Sequence, residues 1–153
     1  MIDKRLEHFL LFEMSDDWMP VGAFASLIRR ITPAGYSRQR ILEVIAEIAA
    51  KGQLRFGGWA MKTTQTWEPW GVSDEVAISR IANGFEGSPG VLNATDKELA
   101  NTEVFRADIT DAGLARLAEL GNPYEIYGDP WEGHRLMAAE GDFARWDHEQ
   151  GQG

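Results

Sequence analysis

Cysteine is absent from the 153 residues, so the chain forms no disulfide bonds and offers no thiolate ligands to a metal. This absence fits a reducing compartment, and we expect a cytoplasmic protein. The sequence also lacks the run of about 18 apolar residues that a membrane span needs. The charged stretch at residues 1–8 has none of the apolar character of a signal peptide, so no membrane association is expected.

The motifs of common enzyme classes are missing as well. There is no Gly-x-Ser-x-Gly, no phosphate-binding glycine loop and no His-Glu-x-x-His. The three histidines, His8, His134 and His148, are far apart in the sequence. Asp129, Glu132 and His134 form a polar cluster, but a solvated loop is the favoured interpretation because no second pair of ligands accompanies them. We therefore expect a protein that is not an enzyme and that uses no cofactor and no metal.

Positive charge is scarce in the second part of the chain. The net charge is −9, and residues 60–153 hold seven Lys or Arg against seventeen Asp or Glu. Residues 1–59 hold eight against seven, and the stretch 29–55 holds six bases against two acids. The distribution predicts a basic patch on an acidic body, and the field of such a patch acts over about 8 to 10 Å at physiological salt.

Three helices are predicted within the first 59 residues. The first covers 2–14, the second has Pro20 in its first turn, and the third follows Ser37, which can cap it. The third helix buries four apolar residues at i, i+3, i+4 and i+7: Ile41, Val44, Ile45 and Ile48. Gly52 can end this helix, and the alternation around Leu54 and Phe56 then predicts a strand.

A further strand and helix are predicted at 104–120. Phe105, Ala107 and Ile109 alternate with polar residues, Thr110 can cap the following helix, and Gly121 can stop it. Residues 1–59 and 104–120 together resemble the winged helix-turn-helix superfamily. The resemblance implies an α+β fold, with a three-helix core and a small antiparallel sheet, and it implies no particular mechanism.

The departure from that pattern is an insertion at 57–104, where an ordinary wing is a short hairpin. Ser73 can cap a helix with apolar residues at 78, 81, 82 and 85, and Thr95 and Glu98 have capping-box spacing. We therefore expect a winged-helix domain over 1–121 with a helical and loop insertion in the wing. A C-terminal extension over 122–153 should pack on it, with an extended path at 122–133, a last helix or two near 136–146 and a frayed end.

Two functions compete. In the first, the acidic, tryptophan-rich insertion docks on a basic protein partner, as an inhibitor or immunity-type protein of bacterial type would. Large aromatic side chains are enriched at interface centres, and acidic neighbours would steer a cationic target. The candidate interface residues are Trp67, Glu68, Trp70, Asp74 and Glu75. The competing interpretation of Trp67 and Trp70 is a satellite core that covers the insertion helix.

The second function is a transcriptional regulator that binds double-stranded DNA, as a homodimer built from the first helix and the tail. The start of the third helix would read bases and nearby arginines would contact phosphates. The candidate residues are Arg29, Arg30, Arg38, Gln39, Arg40 and Arg55. Glu43 and Glu47 argue against this function, because they would place two negative charges at the centre of a surface that enters an anionic groove.

Overall fold

The structure is a computed structural model, and it describes residues 1–60 and 66–131. The described helices are α1 Lys4–Asp16, α2 Val21–Ile31, α3 Arg38–Ala50, α4 Asp74–Asn83, α5 Asp96–Asn101, α6 Asp111–Leu120 and α7 Pro123–Tyr127, with a 3-10 turn at Pro33–Gly35. The described strands are β1 Met19–Pro20, β2 Leu54–Arg55, β3 Gly57–Trp59, β4 Trp67–Pro69 and β5 Arg106–Ile109. The α+β class is confirmed. None of the described helices has the length and apolar character needed to cross a membrane.

Two small antiparallel sheets organise the strands. β5 is the central strand of the first, in the order β1-β5-β2, with Met19 opposite Ala107 and Leu54 opposite Ile109. β3 and β4 form a separate hairpin in which Trp59 pairs with Trp67. β1 was not predicted from the sequence. Pro20 belongs to this strand and occupies the N-cap position of α2, so it precedes the helix rather than lying in its first turn.

The third helix, α3, buries the predicted apolar face. Ser37 caps α3 by accepting a hydrogen bond from the Arg40 N–H, and Gly52 follows the helix with a left-handed φ of 74°. The four predicted residues of α3 are fully buried, and Leu42 on the neighbouring side of the helix is buried too. A second element therefore covers α3.

That second element is the segment 57–104. The sequence predicted helices and loops here, and the structure has a pair of strands as well. The segment begins with the β3–β4 hairpin and continues through α4 and α5, which pack against α3 and α2 respectively. A Cβ at Gly22 of α2 would come 2.7 Å from the Ala100 carbonyl oxygen, so the two backbones are in close contact. Ile81, Val91 and Leu99 belong to the same buried cluster as Ile45.

The region after α6 differs from the predicted extended path. Asn122 accepts a hydrogen bond from the Tyr124 N–H and caps α7, so a short helix replaces the extended segment. Tyr124 and Tyr127 of α7 pack against Phe9 of α1, at ring-centroid distances of 5.2 and 5.9 Å. The helices predicted near 136–146, and Glu132 and His134 of the polar cluster, lie outside the described residues.

Candidate protein-binding surface on the hairpin and α4

Trp67 lies on β4, and its indole makes several contacts within the protein. The indole N–H donates a hydrogen bond of 3.0 Å to the Arg106 carbonyl of β5. The Arg55 guanidinium lies 4.9 Å from the ring centroid, and the ring is parallel to that of Trp18 at 6.3 Å. A Cβ at Gly57 would overlap the Trp67 ring, so the hairpin requires glycine at that position. Trp67 therefore fixes the hairpin to the three-stranded sheet.

Trp70 follows β4 and packs on the edge of the core. Its ring centroid lies 5.9 Å from that of Phe105, which is fully buried, and 5.5 Å from that of Phe85. Its backbone N–H donates to the Phe56 carbonyl at 3.0 Å. The Arg80 guanidinium lies 5.2 Å from the ring centroid. These contacts favour the satellite-core interpretation of Trp70, because an interface anchor would project from the turn instead.

Four acidic residues of this region are exposed. Glu68 of β4, Asp74 and Glu75 in the first turn of α4, and Glu86 after it are all exposed. None of the four forms an ion pair within residues 1–60 and 66–131. We call them the acidic surface. Carboxylates at the start of α4 are stabilised by the helix dipole, so they occupy this place without an internal cation.

Two of the arginines proposed for DNA do not present a free charge on α2. Arg30 is only 1% exposed, its Nε donates to the Pro130 carbonyl, and its guanidinium lies 5.9 Å from the Trp131 ring centroid. The expectation that Arg30 contacts phosphate is therefore wrong for this structure, since the side chain is inside the protein. Arg29 is half-buried and lies 5.2 Å from the ring centroid of Tyr36.

Arg38 at the start of α3 holds the 57–104 segment in place. One guanidinium nitrogen donates to the carbonyls of Val91 and Ala94, both at 2.7 Å, and the other donates to Asp96 at 2.8 Å. A phosphate would have to compete with all three acceptors. The predicted phosphate contact is thus replaced by a structural link between α3 and the residues that precede and begin α5.

The other residues proposed for DNA differ in their accessibility. Arg40 pairs with Glu43 at 3.3 Å on the surface of α3. Arg55 is bonded through two nitrogens to Asp108, its cross-strand partner on β5, at 3.0 and 2.6 Å. Gln39 is exposed. The structure therefore does not assemble the six DNA candidates into one accessible cationic surface.

Trp18 and Arg106, which the sequence analysis did not single out, are important in this region. Trp18 and Trp59 join Trp67 in an aromatic cluster, and the Trp18 and Trp59 ring centroids are 5.8 Å apart. Arg106 lies 4.7 Å from the Trp59 ring centroid and pairs with Glu103 through two bonds of 2.8 Å. The alternation at 104–109 predicted the strand that carries Arg106, but no local pattern could indicate that Trp18 lies beside it.

A second polar cluster is buried under α1. The Glu7 carboxylate is 3% exposed and accepts from Gln53 at 3.1 Å, with Lys51 at 3.4 Å and Arg116 at 3.6 Å. This carboxylate ties α1 to the end of α3 and to α6, because a buried charge needs compensating partners. Next to it, the His8 Nε2 lies 2.6 Å from the Gly121 carbonyl oxygen.

Tyr124 and Glu13 form a third polar contact, between α7 and α1. The tyrosine hydroxyl donates to Glu13 Oε1 at 2.8 Å. Burial raises the pKa of Tyr124 well above its usual range, and the hydrogen bond and negative charge of Glu13 raise it further. The hydroxyl therefore remains protonated and continues to donate.

Within the described residues, no three His, Asp or Glu side chains are grouped so as to hold a metal ion. In comparisons of the chain with protein-family models, with curated proteins and with solved structures, nothing matched.

Proposed function

We propose that this protein is a non-catalytic, cytoplasmic protein-binding module of the inhibitor or immunity type, which docks on a basic protein partner through the acidic surface. One observation carries the proposal. Glu68, Asp74, Glu75 and Glu86 are exposed without internal cations, whereas Arg38 and Arg55 of the competing DNA surface are already bonded to oxygen acceptors of the protein itself. Uncompensated exposed carboxylates steer and select a cationic partner.

The winged-helix fold is part of the same proposal. The order β1-β5-β2 places the strand before α2 beside the closing strand, with α2 and α3 connected by a short turn. This arrangement supports a winged-helix framework in which the hairpin, α4 and α5 occupy the place of a simple wing. Because α4 packs on α3, the usual DNA-reading helix is partly covered.

The tryptophans take a different role from the one predicted. Trp67 and Trp70 hold the hairpin and the start of α4 against β5 and the core, through the Arg106 carbonyl and Phe105. They therefore keep the acidic surface in a fixed geometry, and a preorganised surface loses less entropy when it binds. In this proposal the carboxylates recognise the partner and the indoles support them.

A set of charge-neutralising substitutions tests the proposal. Glu68→Gln, Asp74→Asn and Glu75→Gln together should weaken partner binding by about tenfold or more, and the remaining binding should be less sensitive to salt. The partner would be isolated by crosslinking to the unmodified protein and identified by mass spectrometry. Its affinity for both proteins would then be measured by calorimetry at several salt concentrations.

The matched control carries Asp111→Asn, Glu119→Gln and Glu125→Gln. These residues are also exposed, and Asp111 and Glu125 likewise lie in first turns of helices, so the control has the same charge change and similar helix-dipole effects. It should bind the partner like the unmodified protein. Equal loss in both variants, or a partner that is itself acidic, would contradict the proposal.

The alternative is a winged-helix regulator that binds double-stranded DNA, and one observation favours it. Gln39 is exposed at the start of α3, where a reading helix meets base edges. If this alternative holds, Arg40→Ala should weaken specific DNA binding by about 1–3 kcal/mol in mobility-shift assays. No binding by the unmodified protein to genomic fragments at low salt would remove the alternative, together with the homodimer proposed for it.

A further inference from the structure

A pocket lies between α1, α2 and α5, and its described lining residues include none of the acidic surface. Its volume is about 350 Å³, and its lining includes Glu13, Ala23, Ser26, Leu27, Ala100 and Trp131. Pockets for small molecules begin near about 300 Å³, so this one suits a ligand with a single ring or a short chain. The close packing of Gly22 against the Ala100 carbonyl brings α2 and α5 together at its wall.

Among the described residues that line the pocket, Glu13 is the charged one. Tyr124 donates to one of its carboxylate oxygens, Oε1, at 2.8 Å. Within the described residues the other oxygen, Oε2, has no hydrogen-bond donor, and Glu13 forms no ion pair. The Tyr124 hydroxyl orients the carboxylate from one side and leaves an acceptor for a donor that enters the pocket.

The remaining walls are mostly apolar. Ala23, Leu27 and Ala100 present aliphatic carbon, and Trp131 adds an indole. The Ser26 hydroxyl can donate or accept one hydrogen bond. A negative oxygen in a partly apolar recess favours a cation that carries its own apolar body, because the charge meets a counter-charge while the body leaves water.

We propose that this pocket binds a small organic ammonium ion, with its charged nitrogen at Glu13 and its apolar part between α2, α5 and Trp131. The ammonium donates to Oε2, and Tyr124 keeps the carboxylate in position. The described residues that line the pocket include none of the acidic surface, so this proposal does not depend on the protein-binding proposal.

Three probes of nearly equal size test the charge requirement. 2-Phenylethylammonium, neutral 2-phenylethanol and anionic 3-phenylpropionate would be titrated into the full-length protein by calorimetry and followed by NMR. We expect the ammonium to saturate at millimolar concentration or lower, and the alcohol and carboxylate to bind about tenfold more weakly or not at all. The indole N–H signal of Trp131, assigned with Trp131→Phe, should shift with the ammonium.

Two variants and one control test whether the ammonium binds at this site. Glu13→Gln keeps an oxygen for Tyr124 and removes the charge, so it should weaken ammonium binding by about tenfold or more. Asp16→Asn, an exposed neutralisation on the same helix, should leave it unchanged. Ser26→Leu should fill the pocket and weaken all three probes.

Three results would each overturn the proposal. One is failure of the ammonium to saturate up to about 10 mM, which corresponds to negligible affinity for a ligand of this size. Others are equal binding of ammonium and alcohol by the unmodified protein, and full binding by Glu13→Gln. The comparison of probes uses only the unmodified protein, so it decides the question even if a variant does not fold. Neither the acidic surface nor its partner is involved in any of these measurements.

Discussion

The indole of Trp70 contacts Phe105 and Phe85, while Arg80 lies against the same ring. A tryptophan beside a proline in an acidic stretch has the same local sequence whether it projects to a partner or packs inward. What distinguishes the two roles is the presence of Phe105 behind the ring, and Phe105 is 35 positions away in the sequence. The predicted anchor is therefore better explained as support for the hairpin.

Trp70→Ala should lower the free energy of unfolding by about 2–3 kcal/mol, because it removes aromatic contacts with the edge of the core. This is less than the loss of about 3–5 kcal/mol for a fully buried tryptophan, since Trp70 is half-buried. Denaturant unfolding measures the change. Val76→Ala, at an exposed position of α4, is the control and should change stability by less than about 0.5 kcal/mol. A Trp70 loss no larger than that of the control would restore the anchor interpretation.

The raised pKa of Tyr124 predicts that the protein loses stability at alkaline pH. Burial and Glu13 raise its pKa in the folded protein above the value of about 10 of an unfolded tyrosine. The stability it contributes is therefore fully present below pH of about 10, and it is lost as pH rises through the folded-state pKa. Tyr124→Phe should make the decline in melting temperature above pH of about 10 shallower. Parallel curves for the two proteins would contradict this assignment.

At the scale of elements, the segment 57–104 is tied to α3 by one side chain. Arg38 satisfies the carbonyls of Val91 and Ala94 and pairs with Asp96. The sequence analysis assigned Arg38 to the start of a helix that could bind DNA. Its hydrogen-bond acceptors are more than 50 residues away, so no neighbouring residue indicated them. The link requires the packing of α4 and α5 on α3 and α2.

Arg38→Met should destabilise the protein by about 2–3 kcal/mol, because it leaves two carbonyls without their donor while keeping an aliphatic stem. Hydrogen exchange should show the largest loss of protection in α4 and α5. Arg40→Met is the matched control. It breaks only the exposed pair with Glu43 and should cost less than about 1 kcal/mol. Equal effects of the two changes would show that Arg38 does not hold the segment.

At the scale of the whole molecule, the inserted segment and the three-helix part share one core. Ile81, Val91 and Leu99 of the segment lie in the same buried cluster as Phe24 and Ile45. A segment that buries its apolar residues in a common core cannot unfold alone without exposing those of its neighbours. The segment 57–104 is therefore part of the same core and not a separate module.

This shared core predicts a single unfolding transition. Tryptophan fluorescence, to which Trp18, Trp59, Trp67 and Trp70 in and beside the hairpin contribute as four of the six tryptophans, should change together with far-ultraviolet circular dichroism, which reports on the helices. Both should give the same midpoint in denaturant, as two-state unfolding requires. A fluorescence midpoint clearly below the dichroism midpoint would show that the hairpin and α4 unfold independently.

The sequence alone determined the local features of this protein. The helical spacing of Ile41 to Ile48, the cap at Ser37, the capping box at Thr95 and the strand around Ala107 were all predicted and are all present. These features depend on periodicity and on hydrogen bonds between residues three or four positions apart, so the information is local.

Only the tertiary structure decided which charges are available at the surface. The residues that flank Arg30 and Arg38 in the sequence do not distinguish them from exposed arginines. Arg30 is nevertheless buried beside Pro130, and Arg38 is bonded to the segment before α5. Burial and ion pairing join residues far apart in the chain, and periodicity carries no information about such partners. The tertiary fold also decides whether the acidic surface is available. Glu68, Asp74 and Glu75 lack ion-pair partners because the described fold brings no cation next to them.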